Sequence, residues 1–175
     1  MNPSPFSLAC AVAVGMLAPG SALAIERQLQ VAARAGFGYS SGTHGGPGAA
    51  FDLGATYGLN DAFSLYAVGG YSLEFPEPTR LSPRHAGSLS AGVFYAFDYL
   101  RIVPYLGLGV RGDVYRVPDA TYVTPAAEAR GGAVWLLPRT WAIDLQAAYA
   151  FPFLERDRSG DFVTVTAGLV WQRDL

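Results

Sequence analysis

From residue 29 to residue 171 the chain alternates apolar side chains with small or polar ones. In the first run Leu29, Val31, Ala33, Ala35, Phe37 and Tyr39 share one face, against Gln30, Ala32, Arg34, Gly36 and Gly38. In the second, Phe51, Leu53, Ala55, Tyr57 and Leu59 oppose Asp52, Gly54, Thr56 and Gly58. In the third, Phe63, Leu65, Ala67, Gly69, Tyr71, Leu73 and Phe75 oppose Ser64, Tyr66, Gly70, Ser72 and Glu74. The fourth sets Leu89, Ala91, Val93, Tyr95 and Phe97 against Ser88, Ser90, Gly92 and Asp98, and the fifth Leu106, Leu108 and Val110 against Tyr105, Gly107, Gly109, Arg111 and Asp113. The sixth is the least regular, with Ala129, Ala133, Trp135 and Leu137 against Glu128, Arg130 and Gly132. The seventh opposes Trp141, Ile143, Leu145, Ala147, Tyr149 and Phe151 to Asp144 and Gln146, and the eighth Val163, Val165, Ala167, Leu169 and Trp171 to Thr164, Thr166, Gly168 and Gln172. A period of two residues is the signature of β-strands with two unlike faces.

The joins between runs alternate as well. Leu59 to Ala62, Asp98 to Arg101 and Pro138 to Thr140 are tight, whereas the joins near 40–49, 76–87, 115–126 and 152–161 are longer and rich in Gly, Pro and charge. Short turns on one side and long loops on the other are the pattern of a membrane-spanning barrel. The sequence therefore predicts an all-β, eight-stranded, antiparallel up-and-down transmembrane β-barrel, with both ends of the barrel segment on the short-turn, periplasmic side.

A soluble sandwich or lipocalin-like barrel would also alternate, but it would bury the apolar face and charge the other. Here the polar faces are dominated by Gly, Ser, Thr and Ala, and the chain has no lysine. Its aromatic rings are sorted to the ends of the apolar faces. Tyr57, Phe63, Tyr95, Phe97, Trp135, Trp141 and Trp171 lie toward the turns, and Phe37, Tyr39, Phe51, Tyr71, Phe75, Tyr149 and Phe151 toward the loops, with mostly Leu, Val and Ala between. Two aromatic girdles around an aliphatic band suit a lipid-facing wall.

Composition agrees with that picture. Hydrophobic residues make up 51% of the 175 and charged residues only 15%, below the roughly 25% of an ordinary soluble domain. No stretch after residue 24 approaches the ~20 continuous apolar residues of a membrane helix. A net charge of −2 gives no basic face for nucleic acid. Ahead of the strands, Leu8 to Leu17 is apolar, Pro19-Gly20 breaks it, and Ala22-Leu23-Ala24 offers a small-x-small cleavage site. Residues 1–24 are read as a secretory signal peptide, cleaved between Ala24 and Ile25, and residues 25–175 as the barrel. Cleavage removes the single cysteine, Cys10.

Thr56-Tyr57-Gly58-Leu59-Asn60-Asp61, Pro104-Tyr105-Leu106-Gly107-Leu108-Gly109 and Thr166-Ala167-Gly168-Leu169-Val170-Trp171 resemble segments of the small outer-membrane barrels typified by the OmpA membrane domain and OmpX. The resemblance covers nearly the whole expected mature chain. It implies an outer-membrane location, lipid and lipopolysaccharide as surroundings, the barrel-assembly machinery as a partner, and a monomer. The family's last strand usually ends on an aromatic residue; this chain departs from that, running past Trp171 to Gln172-Arg173-Asp174-Leu175.

An eight-stranded barrel is wide enough for its own side chains or one small ligand. The inward positions hold Arg34, Arg111 and Arg130 against Asp52, Glu74, Asp113, Glu128 and Asp144. Charges away from water must be paired, so the expected interior is a salt-bridged filling and the expected role is structural support of the envelope. The alternative is a narrow passive channel or binding barrel, and a lipid-modifying enzyme comes third. His85 and Ser88 are three apart, which puts them on opposite faces of a strand, and His44 has no adjacent acid. No catalytic, metal or cofactor site is expected. Arg84, Arg116, Arg156 and Arg158 are expected in outer loops, facing anionic lipid groups.

Overall fold

The computed structural model describes residues 27–42, 45–75, 83–97, 101–117, 120–137, 140–154 and 160–174; the expected cleavage point, Ala24 and Ile25, lies outside them. Eight strands follow in order: β1 (Gln28–Ser40), β2 (Pro47–Gly58), β3 (Phe63–Glu74), β4 (Arg84–Ala96), β5 (Ile102–Val117), β6 (Ala120–Leu136), β7 (Trp141–Pro152) and β8 (Phe162–Asp174). Each pairs antiparallel with the next, and β8 returns to β1 from Gln28↔Asp174 to Ser40↔Phe162, closing the barrel. The tight joins hold by local chemistry. Asn60 Oδ1 accepts from the backbone N–H groups of Ala62 and Phe63 at 3.0 and 2.8 Å, a side-chain mimic of a backbone turn.

One long join is corrected. Residues 115–117 and 120–126 are strand: β5 and β6 stay paired up to Val117↔Ala120. Pro118-Asp119 alone separates the strands, and the flanks Val114, Tyr115, Thr121, Tyr122, Val123 and Thr124 are β-branched or aromatic and favour strand. Pro125 is tolerated inside β6 because the β6–β7 ladder stops at Ala126↔Pro152. Beyond it the Pro125 carbonyl accepts from Phe153 N–H at 3.0 Å, and no donor is needed there. At 16 and 17 residues, β5 and β6 overreach the other strands and form a hairpin projecting from the loop end. Leu137 also falls outside β6, its N–H bonded to the Trp141 carbonyl in the turn.

The wall is polar inside and apolar outside. Leu108 is 73% exposed, whereas Glu74, Glu128 and Asp144 are exposed by 1% or less. The expected girdle residues all take outward positions: Phe37, Phe51, Tyr71, Trp135 and Trp141 are among the exposed rings, and Trp171 lies in β8 opposite Trp141 and Val31. Two, Phe75 and Phe97, sit one residue past their strands but extend the pairing through N–H bonds to Pro47 and Pro104.

The interior is layered. Near the turn end Tyr66 stacks on Phe94 at 4.3 Å between centroids, and Phe94 leans on Tyr105 at 4.8 Å. Val68 joins this cluster, and Val134 packs against both it and a neighbouring patch of Ala32, Ala142 and Val170. The rings fit because glycines beside them leave the wall bare. A Cβ on Gly107 would run into the Phe94 ring, and one on Gly109 into the Tyr66 hydroxyl. Gly107→Ala should therefore lower stability by about 1–3 kcal/mol through overpacking, read from the urea midpoint of refolded protein. Gly69→Ala, where nothing lies within 4 Å, should leave the midpoint unchanged.

Candidate functional site

Strand parity decides which charges enter the lumen. Arg34 on β1, Asp52 on β2, Glu74 on β3, Arg111 and Asp113 on β5, Glu128 and Arg130 on β6 and Asp144 on β7 all point inward. All are buried except Asp52, which is partly so. What parity cannot assign is the pairing. Arg34 bridges Asp52 through Nη1 at 2.5 Å and Asp144 through Nε at 2.6 Å, tying β1 to both β2 and β7. Asp144 accepts from the Tyr105 hydroxyl at 3.0 Å, and that hydroxyl accepts from Gln146 Nε2 at 2.8 Å. Gln146 Oε1 accepts from Arg130 Nη1 at 2.6 Å. The relay continues through Glu128, which takes Arg130 Nε at 2.5 Å, Arg130 Nη2 at 3.0 Å and Arg111 Nη1 at 3.5 Å. Arg111 ends it on Asp113 at 2.7 Å. The Tyr66 hydroxyl also donates to Glu128 at 3.2 Å, joining the network to the ring layer below.

Arg84 is the residue that sequence reasoning misplaced. It is not in a loop facing lipid: it opens β4 at an inward position and is buried. Its Nη2 reaches Glu74 at 2.5 Å and Ser40 Oγ at 2.9 Å, and its guanidinium lies 4.4 Å from the centre of the Tyr115 ring. The signal was present, because Arg84 has the same parity as Ser88 and Ser90, but Pro83 beside it reads as loop. Four guanidiniums thus face five carboxylates among the described residues, leaving one formal negative charge inside. A charge out of water costs several kcal/mol unless paired and hydrogen-bonded, and this arrangement meets that demand at each arginine. The space left beside Asp52, Ser72, Ser88, Arg111, Arg130 and Thr166 is about 20 Å³, room for about one or two waters.

His85 points outward from β4 and Ser88 inward, so they do not form a dyad. His44, Arg156 and Arg158 lie outside the described residues; Arg116 is exposed on β5.

No family model and no curated protein matches the sequence. Solved structures do match. The N-terminal β-barrel domain of Pseudomonas aeruginosa OprF superposes with a TM-score of 0.61 at 11% identity, covering 85% of this chain and 98% of that one. Pseudomonas aeruginosa OprG gives 0.64 at 10% identity over 86% and 97%. The outer membrane enzyme PagL gives 0.52 at 16% identity over 81% and 98%. The likeness is one of fold: this chain has the architecture of the small eight-stranded outer-membrane β-barrels.

The Glu74–Arg84 pair gives a direct test of the lumen energetics. Glu74→Ala leaves a buried guanidinium without its carboxylate and should cost about 3–5 kcal/mol. Replacing both residues by Met should recover most of that loss. Urea titrations of the refolded single and double variants read both values.

Proposed function

We propose that the mature chain is an outer-membrane β-barrel with a filled lumen, a structural element of the envelope that works without opening a pore. The observation that carries this is the inverted polarity of the wall. Leu53, Leu89, Leu106, Leu108, Val110, Leu145 and Leu169 stand exposed in a band between two sets of rings, while Arg34, Asp52, Glu74, Arg84, Arg111, Asp113, Glu128, Arg130 and Asp144 turn inward. In water such a surface aggregates; in a bilayer it is the stable side. Residues 1–24 supply export and are then removed, the barrel-assembly machinery inserts the rest, and lipid with lipopolysaccharide surrounds a monomer.

Two features favour a filled lumen over a conduit. The Arg34-to-Asp113 network crosses the interior with each guanidinium paired to a carboxylate, and the Tyr66–Phe94–Tyr105 layer occupies the turn end with rings. An ion would have to break paired charges and then pass an apolar section, each step costly. A lipid-modifying role, which the likeness to PagL raises, would need a nucleophile and base on one outer face; His85 has the Tyr71 hydroxyl beside it and no serine on its side of the strand.

Leu108→Arg, placed in the middle of the apolar band, should destabilise the protein in phospholipid vesicles by about 2–4 kcal/mol. An unchanged unfolding midpoint would show that the band faces water. Purified protein in a planar bilayer should leave the membrane silent; reproducible single-channel steps would overturn the filled-lumen reading. A deletion strain should show sensitivity to detergent and osmotic stress, the phenotype of a weakened envelope.

A further inference from the structure

On the outer wall, the upper ring girdle is carried by β1, β2, β3 and β7, but on β4 and β5 the same level presents an imidazole and a guanidinium. His85 lies directly opposite Arg116 across the β4–β5 ladder, both outward and exposed. Opposed residues on one face have Cβ atoms about 4.5–5.5 Å apart, so the imidazole and the guanidinium share one small area. Tyr71 completes it: its hydroxyl is 2.5 Å from His85 Nδ1. With that hydroxyl donating, Nε2 carries the ring proton and is left as a donor. Glu74 and Asp113, the acidic residues nearest in register, both point into the lumen. Among the described residues Arg116 is the one exposed arginine at the loop end; Arg27, Arg101 and Arg173 are at the turn end. Below the His85–Arg116 row, Gly87 sits between Tyr71 and Val114 in register, and a Cβ there would meet nothing within 4 Å. The wall has a notch under His85 and Arg116, floored by Leu89 in the next row.

We propose that Arg116 and His85, the imidazole oriented by Tyr71, dock the phosphate of a membrane lipid, whose acyl chain lies in the notch over Gly87. The proposal rests on the membrane reading above. A guanidinium grips a phosphate through two parallel N–H bonds, and a basic group at the membrane surface attracts anionic headgroups. The apolar notch below selects a phosphate that carries a chain over a free anion.

The test uses the protein refolded into phosphatidylcholine vesicles containing a minor share of phosphatidic acid. After extraction in mild detergent, native mass spectrometry reads which lipid stays bound. The unmodified chain should retain phosphatidic acid over phosphatidylcholine, and His85→Gln with Arg116→Gln should lower that retention roughly tenfold. Arg101→Gln, at the opposite end, should leave it unchanged. Equal retention in the double variant, or an equal loss in Arg101→Gln, overturns the site. Excess inorganic phosphate should not displace the lipid; displacement would mark a free-anion site and overturn lipid docking. Heat-modifiable migration and β-type dichroism run alongside. Failure of the unmodified chain to insert sinks the membrane reading itself, whereas normal insertion with no lipid preference sinks only the docking site. If the double variant does not insert, Arg116→Gln alone carries the comparison.

Discussion

In hydrocarbon an unpaired backbone N–H or C=O costs several kcal/mol, and a sheet with an open edge presents a whole row of them. The seam between β1 and β8 removes that row, pairing residues from one end of each strand to the other. Closure in turn fixes the width, and the width fixes what the interior can be. Eight strands enclose room for side chains and little else. Each inward residue must then find a partner across a short gap, and bulky groups must be matched by bare wall. The glycines beneath Tyr66 and Phe94 meet that demand for the rings, and the paired charges meet it for the arginines.

The ion pairs therefore brace as well as fill. Arg34 on β1 holds β2 and β7, and Glu128 on β6 gathers Arg111 of β5, Arg130 of its own strand and the Tyr66 hydroxyl of β3. Residues up to 110 positions apart in sequence meet in this way. Such bonds are weak grounds for net stability, because their desolvation cost is large. Their effect is on uniqueness: a strand shifted by one residue would turn Arg34 or Glu128 toward the apolar band. The network thus opposes the register slips that an alternating, glycine-rich strand otherwise permits.

Much of this was legible in the chain. Strand number, the inward parity of the eight named charges and the outward parity of the girdle rings follow from a period of two, because a pleated strand leaves a side chain only two directions. Three things were not legible, each for a physical reason. The partners of Arg34 depend on the stagger around the closed barrel, which no local stretch encodes. Arg84 and the β5–β6 hairpin sit beside Pro83 and Pro118, and a proline marks a turn without saying how soon the ladder resumes. Phe94 lies on a face otherwise mostly small and polar, and nothing in the local pattern marks it as the centre of the ring layer.

That ring layer has an electrical meaning. Above it the lumen is polarisable, dense with guanidiniums, carboxylates and hydroxyls, while the layer itself is built of rings and aliphatic groups. A field along the barrel axis therefore meets two sections of unlike polarisability, one dense with paired charges and one lined by Tyr66, Phe94 and Tyr105, whose tyrosine hydroxyls tie it to Glu128 and Asp144.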